Sequence, residues 1–138
     1  GQAVLESPSV CNFFQPDHPL EPGGDVVAPE SQILSEINVA STNNMLFSQI
    51  YELNNQEDDV RADQTIIDIG PQMAVATDPV ILVDQLDDLL LAGGLPADYR
   101  ISIIEHLKTH PATEEGLRYR VLDGIFCLVG SPYHLVQK

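Results

Sequence analysis

At 138 residues, 43% of them apolar, the chain has the length and the apolar content of a single folded domain. Aromatics are 6% and Trp is absent, so such a core is mostly aliphatic. Charge is lopsided, with 21 acidic residues against 6 basic and a formal net of −15. Binding phosphate takes Lys and Arg, so this balance argues against nucleic acid and anionic membranes as partners.

Residues 1–60 contain no Lys or Arg beside ten Asp and Glu. The plain account of that acid is solubility; a functional acidic face is the alternative. No apolar run approaches the roughly 20 residues that span a bilayer, so no membrane insertion is expected. No charged region followed by an apolar stretch marks a signal peptide. The Gly-Gln-Ala-Val start reads as processed, truncated or engineered.

Residues 1–29 carry Pro8, Pro16, Pro19, Pro22 and Pro29 together with Gly23 and Gly24. These forbid continuous helix and discourage a central strand. Between the prolines lies the apolar knot Val10-Cys11-Asn12-Phe13-Phe14. The expectation is an extended arm laid over a surface and pinned by Phe13 and Phe14. Residues 30–138 are expected to form one helical domain.

Its first predicted helix runs from Glu30 to Leu53, opened by Pro29. Ile33, Leu34, Ile37, Ala40, Phe47, Ile50 and Tyr51 give it an apolar stripe of 3.6 period. Ser41, Thr42, Asn43 and Asn44 interrupt that stripe, where a break or kink is expected. Asn54 to Asp63 reads as an acidic surface loop. Its Glu57, Asp58 and Asp59 lack the alternating ligands and central Gly of a calcium loop. Thr65 to Ile69 is a short strand or an apolar tether, and Pro71 to Ala76 a helical turn.

Four helix-like segments follow. Asp78 caps the first, with Pro79 in its first turn and Gly93-Gly94 closing it. Leu82, Val83, Leu86, Leu89 and Leu90 are expected on its inner face, with Asp84, Asp87 and Asp88 outside. Pro96 opens the second, lined by Ile103, Ile104 and Leu107 with Arg100 opposite. Thr113 caps the third, whose face is Leu117, Val121, Leu122, Ile125, Phe126, Leu128 and Val129. Ser131-Pro132 starts the last. Short connections force such helices to pack on one another. The expected fold is therefore all-α, a compact bundle of four to six helices with an irregular Pro-rich arm.

Familiar chemistries are missing. There is no phosphate loop, no GxSxG elbow, no HExxH and no CxxC pair, and no cofactor is expected. Cys127 reads as a small buried hydrophobe; a bond to Cys11 would need Cα atoms within about 7 Å, which spacing leaves open. His106 and His110 stand at i, i+4, a metal-compatible spacing, but His110 precedes Pro111 and falls past the helix end, which argues against a shared site. Asp17-His18 lacks an identifiable nucleophile. Arg118 and Arg120 are expected in intramolecular ion pairs, with recognition of a partner as the alternative.

Three stretches carry a family resemblance. Ser7-Pro8-Ser9-Val10-Cys11-Asn12-Phe13-Phe14, with Pro16-Asp17 after it, is one; Ala28-Pro29-Glu30, with Gln32-Ile33, is the second. The third combines Leu89-Leu90-Leu91 and Gly93, Arg118, Arg120-Val121, and Ser131-Pro132-Tyr133 with Val136-Gln137. In this order they resemble the bacterial family called domain of unknown function 1800. Departures are Cys11 where Phe is usual, His18 where Tyr is usual and Tyr133 where Glu is common.

The resemblance implies a largely helical C-terminal part of a longer, exported bacterial protein, periplasmic or secreted. No catalytic residues come with it. The expected role is a structural or interaction module whose partner is the upstream portion of the same polypeptide, with other envelope proteins as further partners. The rival is an envelope or secreted enzyme whose site that portion completes, and whether the chain is an enzyme stays open. Candidate interaction residues are Phe13, Phe14, Asp17, His18, Arg118 and Arg120.

Overall fold

Helix propensity and capping chemistry account for most of the architecture in the computed structural model, where residues 17–19, 25, 27, 36–52 and 66–135 are described. Among these there are six helices and no strand: α1 (Glu36–Phe47), α2 (Gly70–Met73), α3 (Pro79–Leu91), α4 (Ala97–Leu107), α5 (Glu114–Val129) and α6 (Pro132–Leu135). The all-α bundle expected from the sequence is the observed fold. The chain divides into two units, Gly1–Asn44 and Met45–Lys138.

In the first unit an isolated antiparallel bridge joins Pro19 to Val27. Asp17 is exposed and His18 half-buried. Phe13, Phe14, Cys11, the acidic loop and the helix expected before Glu36 lie outside the described residues.

The break expected at Ser41–Asn44 does not occur, because α1 runs straight through it. All four residues are exposed, so water satisfies their side chains and they do not compete for the backbone. The irregularity comes later, where Ser48–Glu52 widen into a π-helical turn. That turn buries Ile50 in the core. It also stacks Phe47 on Tyr51 (4.7 Å between ring centres), with both rings edge-on to Phe126. A π turn re-phases a helix by about one residue, and here it faces three apolar side chains to one surface.

In the second unit Ile66–Ile69 form no regular element, which leaves the tether reading. Residues 70–73 make the expected single turn, with Pro71 at its start. Asp78 caps α3 as expected, accepting from the Val80 N–H at 2.9 Å and the Ile81 N–H at 3.4 Å. Leu82, Val83 and Leu86 are buried in the core. Leu89, expected beside them, is 66% exposed; it sits in the last turn of α3, and the elements that cover the middle of the helix leave it open.

The left-handed residues after α3 are Ala92 (φ 53°) and Gly93 (φ 73°) rather than the two glycines. The Gly93 N–H donates back to the Asp87 carbonyl at 3.2 Å. Asp87 is not a free outward acid: its Oδ1 accepts from the Leu95 N–H at 3.1 Å and ties the connection to α4. Arg100 on α4 reaches back to Asp84 on α3, with Nε at 2.7 Å and Nη2 at 2.5 Å from the same oxygen.

Helix α5 is the centre of this unit and touches α2, α3, α4, α6 and the π-helical turn. Thr113 caps it, accepting from the Gly116 N–H at 3.1 Å. Val121, Leu122, Ile125 and Leu128 are buried, joining Ile103, Ile104 and Leu107 of α4. The helix is let in close by Gly124, where a Cβ would stand 2.9 Å from Leu86 Cδ1 and 3.4 Å from Leu107 Cδ1. Tyr99 of α4 donates to the Cys127 carbonyl at 3.0 Å. The Ser131 hydroxyl, buried, donates to the Leu128 carbonyl at 2.7 Å as α5 gives way to α6. Among the described residues no helix is long and apolar enough to cross a membrane.

Candidate functional site

The polar chemistry of the second unit gathers where α5 meets the connection between α4 and α5. Two side chains of α5, three residues apart, face that connection. Arg120 is 5% exposed. Its guanidinium donates to four backbone carbonyls: Leu107 from Nε at 3.0 Å, Ala76 and Thr77 from Nη1 at 2.8 and 3.3 Å, and His110 from Nη2 at 2.8 Å. Carbonyl oxygens therefore stand where carboxylate partners were expected. A rigid five-donor fork suits this task, because four carbonyls from two chain segments, residues 76–77 and 107–110, converge on it.

One turn along, Asp123 is the only acidic side chain in the apolar part of α5 and is 19% exposed. Its Oδ1 accepts the Tyr51 hydroxyl from the π-helical turn. Its Oδ2 faces His110 Nε2 at 2.7 Å and His106 Nε2 at 3.0 Å. The imidazole rings meet edge to face, 5.7 Å between centres. His110 is 21% exposed and His106, in the last turn of α4, 51%. His110 does lie past the end of α4, as Pro111 demands, yet the connection folds it back. Its N–H donates to the Leu107 carbonyl at 3.3 Å, and its own carbonyl is held by Arg120.

The carboxylate also acts on its neighbours. Tyr51 has its phenol pushed well above the ordinary tyrosine range, by burial first and then by its hydrogen bond to Asp123 and that group's charge. The Cys127 thiol, free and half-buried, is also pushed up, by burial and then by Asp123. A thiol held protonated is the opposite of an activated nucleophile. The grouping can do two things: hold protons around one carboxylate, or present two imidazole nitrogens and a carboxylate oxygen to a cation.

Of the residues singled out in the sequence, Arg120 lies at this junction and Arg118 is half-buried on the same helix. Asp17 and His18 belong to the first unit, and Phe13 and Phe14 are outside the described residues. Sequence reasoning missed Asp123 and Tyr51. For Asp123 a signal existed: a lone acid in Arg-Val-Leu-Asp-Gly-Ile-Phe-Cys-Leu-Val stands against an apolar face and needs a partner. Tyr51 gave none beyond its place in an apolar stripe.

Compared with known proteins, the chain matches no family model, no curated protein and no solved structure.

Proposed function

We propose that the chain is a helical structural and interaction module, the C-terminal part of a larger exported bacterial protein, working in the periplasm or outside the cell. It acts by association, with the upstream portion of the polypeptide as its first partner. The family resemblance supports the setting. The observation that carries the reading is the large apolar side chains left open on α3 and α4: Ile81 is 53%, Leu89 66% and Ile101 55% exposed. Covering what remains open of each would contribute about 1–2 kcal/mol, roughly half to two thirds of the value for a fully exposed side chain. Three polar groups, by contrast, are engaged inside the unit: Arg120 on carbonyls, Asp87 on a backbone N–H and Asp123 on three side chains.

The test is calorimetric titration of this chain with the separately expressed upstream portion. Replacing Ile81, Leu89 and Ile101 together by Ser is expected to weaken association at least tenfold with an unchanged circular dichroism spectrum. Unchanged affinity overturns the reading. Substituting Phe13 and Phe14 by Ala in the same assay measures the share of the arm.

A further inference from the structure

We propose that His106, His110 and Asp123 form a three-ligand site for a divalent cation of the zinc class, with a fourth position open to solvent. The inference is independent of the association reading above. It starts from the donor set, two imidazole nitrogens and one carboxylate oxygen, which suits zinc, cobalt or nickel and not the all-oxygen preference of calcium or magnesium. All three residues offer ligand atoms within 4.8 Å of one another. Around zinc, bonds of about 2.0–2.2 Å at tetrahedral angles set donors roughly 3.3–3.5 Å apart. The nitrogens now lie 2.7 Å (His110) and 3.0 Å (His106) from Oδ2, so a cation needs them to part from it by about 0.3–0.8 Å.

The geometry points the same way. Both Nε2 atoms aim at one oxygen, an arrangement that converges on a shared point. Without a cation each ring must carry its proton on Nε2 to bond the carboxylate; with one, both protons move to Nδ1 and the lone pairs turn inward.

Support comes from three places. Asp123 is fixed on the central helix, His106 on the last turn of α4, and His110 through its carbonyl on Arg120. The Tyr51 hydroxyl holds the other carboxylate oxygen, as outer partners of metal ligands do. His106, half open to solvent, gives the cation its way in. A net charge of −15 raises the local cation concentration.

The experiment uses the full chain, stripped with a chelator and titrated with zinc chloride by calorimetry and with cobalt chloride by visible absorption. One equivalent is expected to bind, with the intense absorption of four-coordinate cobalt. His106→Ala and His110→Ala are each expected to weaken binding at least roughly tenfold and to abolish that absorption. Asp123→Asn should do the same, but it also removes a structural carboxylate, so the exposed His106 is the decisive position. No saturable binding overturns the proposal. So does one-equivalent binding that survives both histidine substitutions, which would place the cation on acidic residues elsewhere in the chain.

Discussion

Arg120 and Asp123 sit three residues apart on α5 and grip the same connection in opposite ways. Arg120 is a buried cation that holds main-chain oxygens, those of Leu107 and His110 together with Ala76 and Thr77. Asp123 is an anion nearer the surface that holds side chains, those of His106, His110 and Tyr51. Carbonyls are present whatever the local sequence and never titrate, so the Arg120 junction has one state. Imidazoles have two tautomers, a charged form and an affinity for metals, so the Asp123 junction has several. The lesson is a division of labour along one helix: a fixed anchor that sets the backbone, and beside it an adjustable group held in place by that anchor.

The largest loss is expected at the anchor. Arg120→Met is expected to cost about 3–5 kcal/mol in chemical denaturation, since buried carbonyls lose a charged donor and nothing replaces it. Arg120→Lys should recover only part of that, because one ammonium cannot reach four carbonyls on two segments. A loss under about 1 kcal/mol would mean the carbonyls find water instead. Gly124→Ala, one residue beyond Asp123 and against the α3 and α4 core, comes next. Its Cβ would stand 2.9 Å from Leu86 Cδ1, and about 1–3 kcal/mol is expected from overpacking.

A third tie, uncharged, joins α4 to α5. Tyr99 donates a neutral hydroxyl to the Cys127 carbonyl at 3.0 Å, so it has a main-chain acceptor like Arg120 but no charge. Tyr99→Phe should cost about 1 kcal/mol. Its phenol is pushed up, by burial first and then by Cys127 and Tyr133, and this carries a pH signature. Above the ordinary tyrosine pKa of about 10 the unfolded chain releases the proton while the folded chain keeps it. Stability from this group is therefore complete below about pH 10 and is lost as pH rises through the folded value. Denaturation midpoints followed from pH 8 upward should fall less steeply in Tyr99→Phe than in the parent.

What could be read in the sequence was local. Asp78 and Thr113 cap helices because their side chains meet N–H groups two and three residues away, and the apolar stripes of α3, α4 and α5 follow from a 3.6 period. What escaped was set by distance. Arg120 meets the Ala76 carbonyl across 44 positions, and no side-chain pattern announces a carbonyl. Tyr51 meets Asp123 across 72 positions, through a π-helical turn that helical spacing does not predict. Leu89 shows the limit of periodicity, which gives the face of a helix but not how far along it the neighbours reach. His110 shows the opposite error: leaving the helix did not carry it away from His106, because the backbone turn beyond α4 is itself held from α5.

The smallest effect on stability is the most discriminating one. His106 is 51% exposed, and losing its hydrogen bond to Asp123 at 3.0 Å and its ring contact with His110 leaves that carboxylate still partnered by His110 and Tyr51. His106→Ala should therefore cost no more than about 0.5 kcal/mol in denaturation without metal, the range of an exposed pair. If the Asp123 junction is the adjustable partner of a fixed anchor, the same substitution should remove nearly all the stabilisation that saturating zinc adds to the parent, since only the folded chain presents the assembled ligands. Arg120→Met should behave the other way, losing stability with and without zinc. A variant set in which both substitutions lowered stability equally, and zinc changed neither difference, would merge the two junctions into one structural network and leave α5 with a single role.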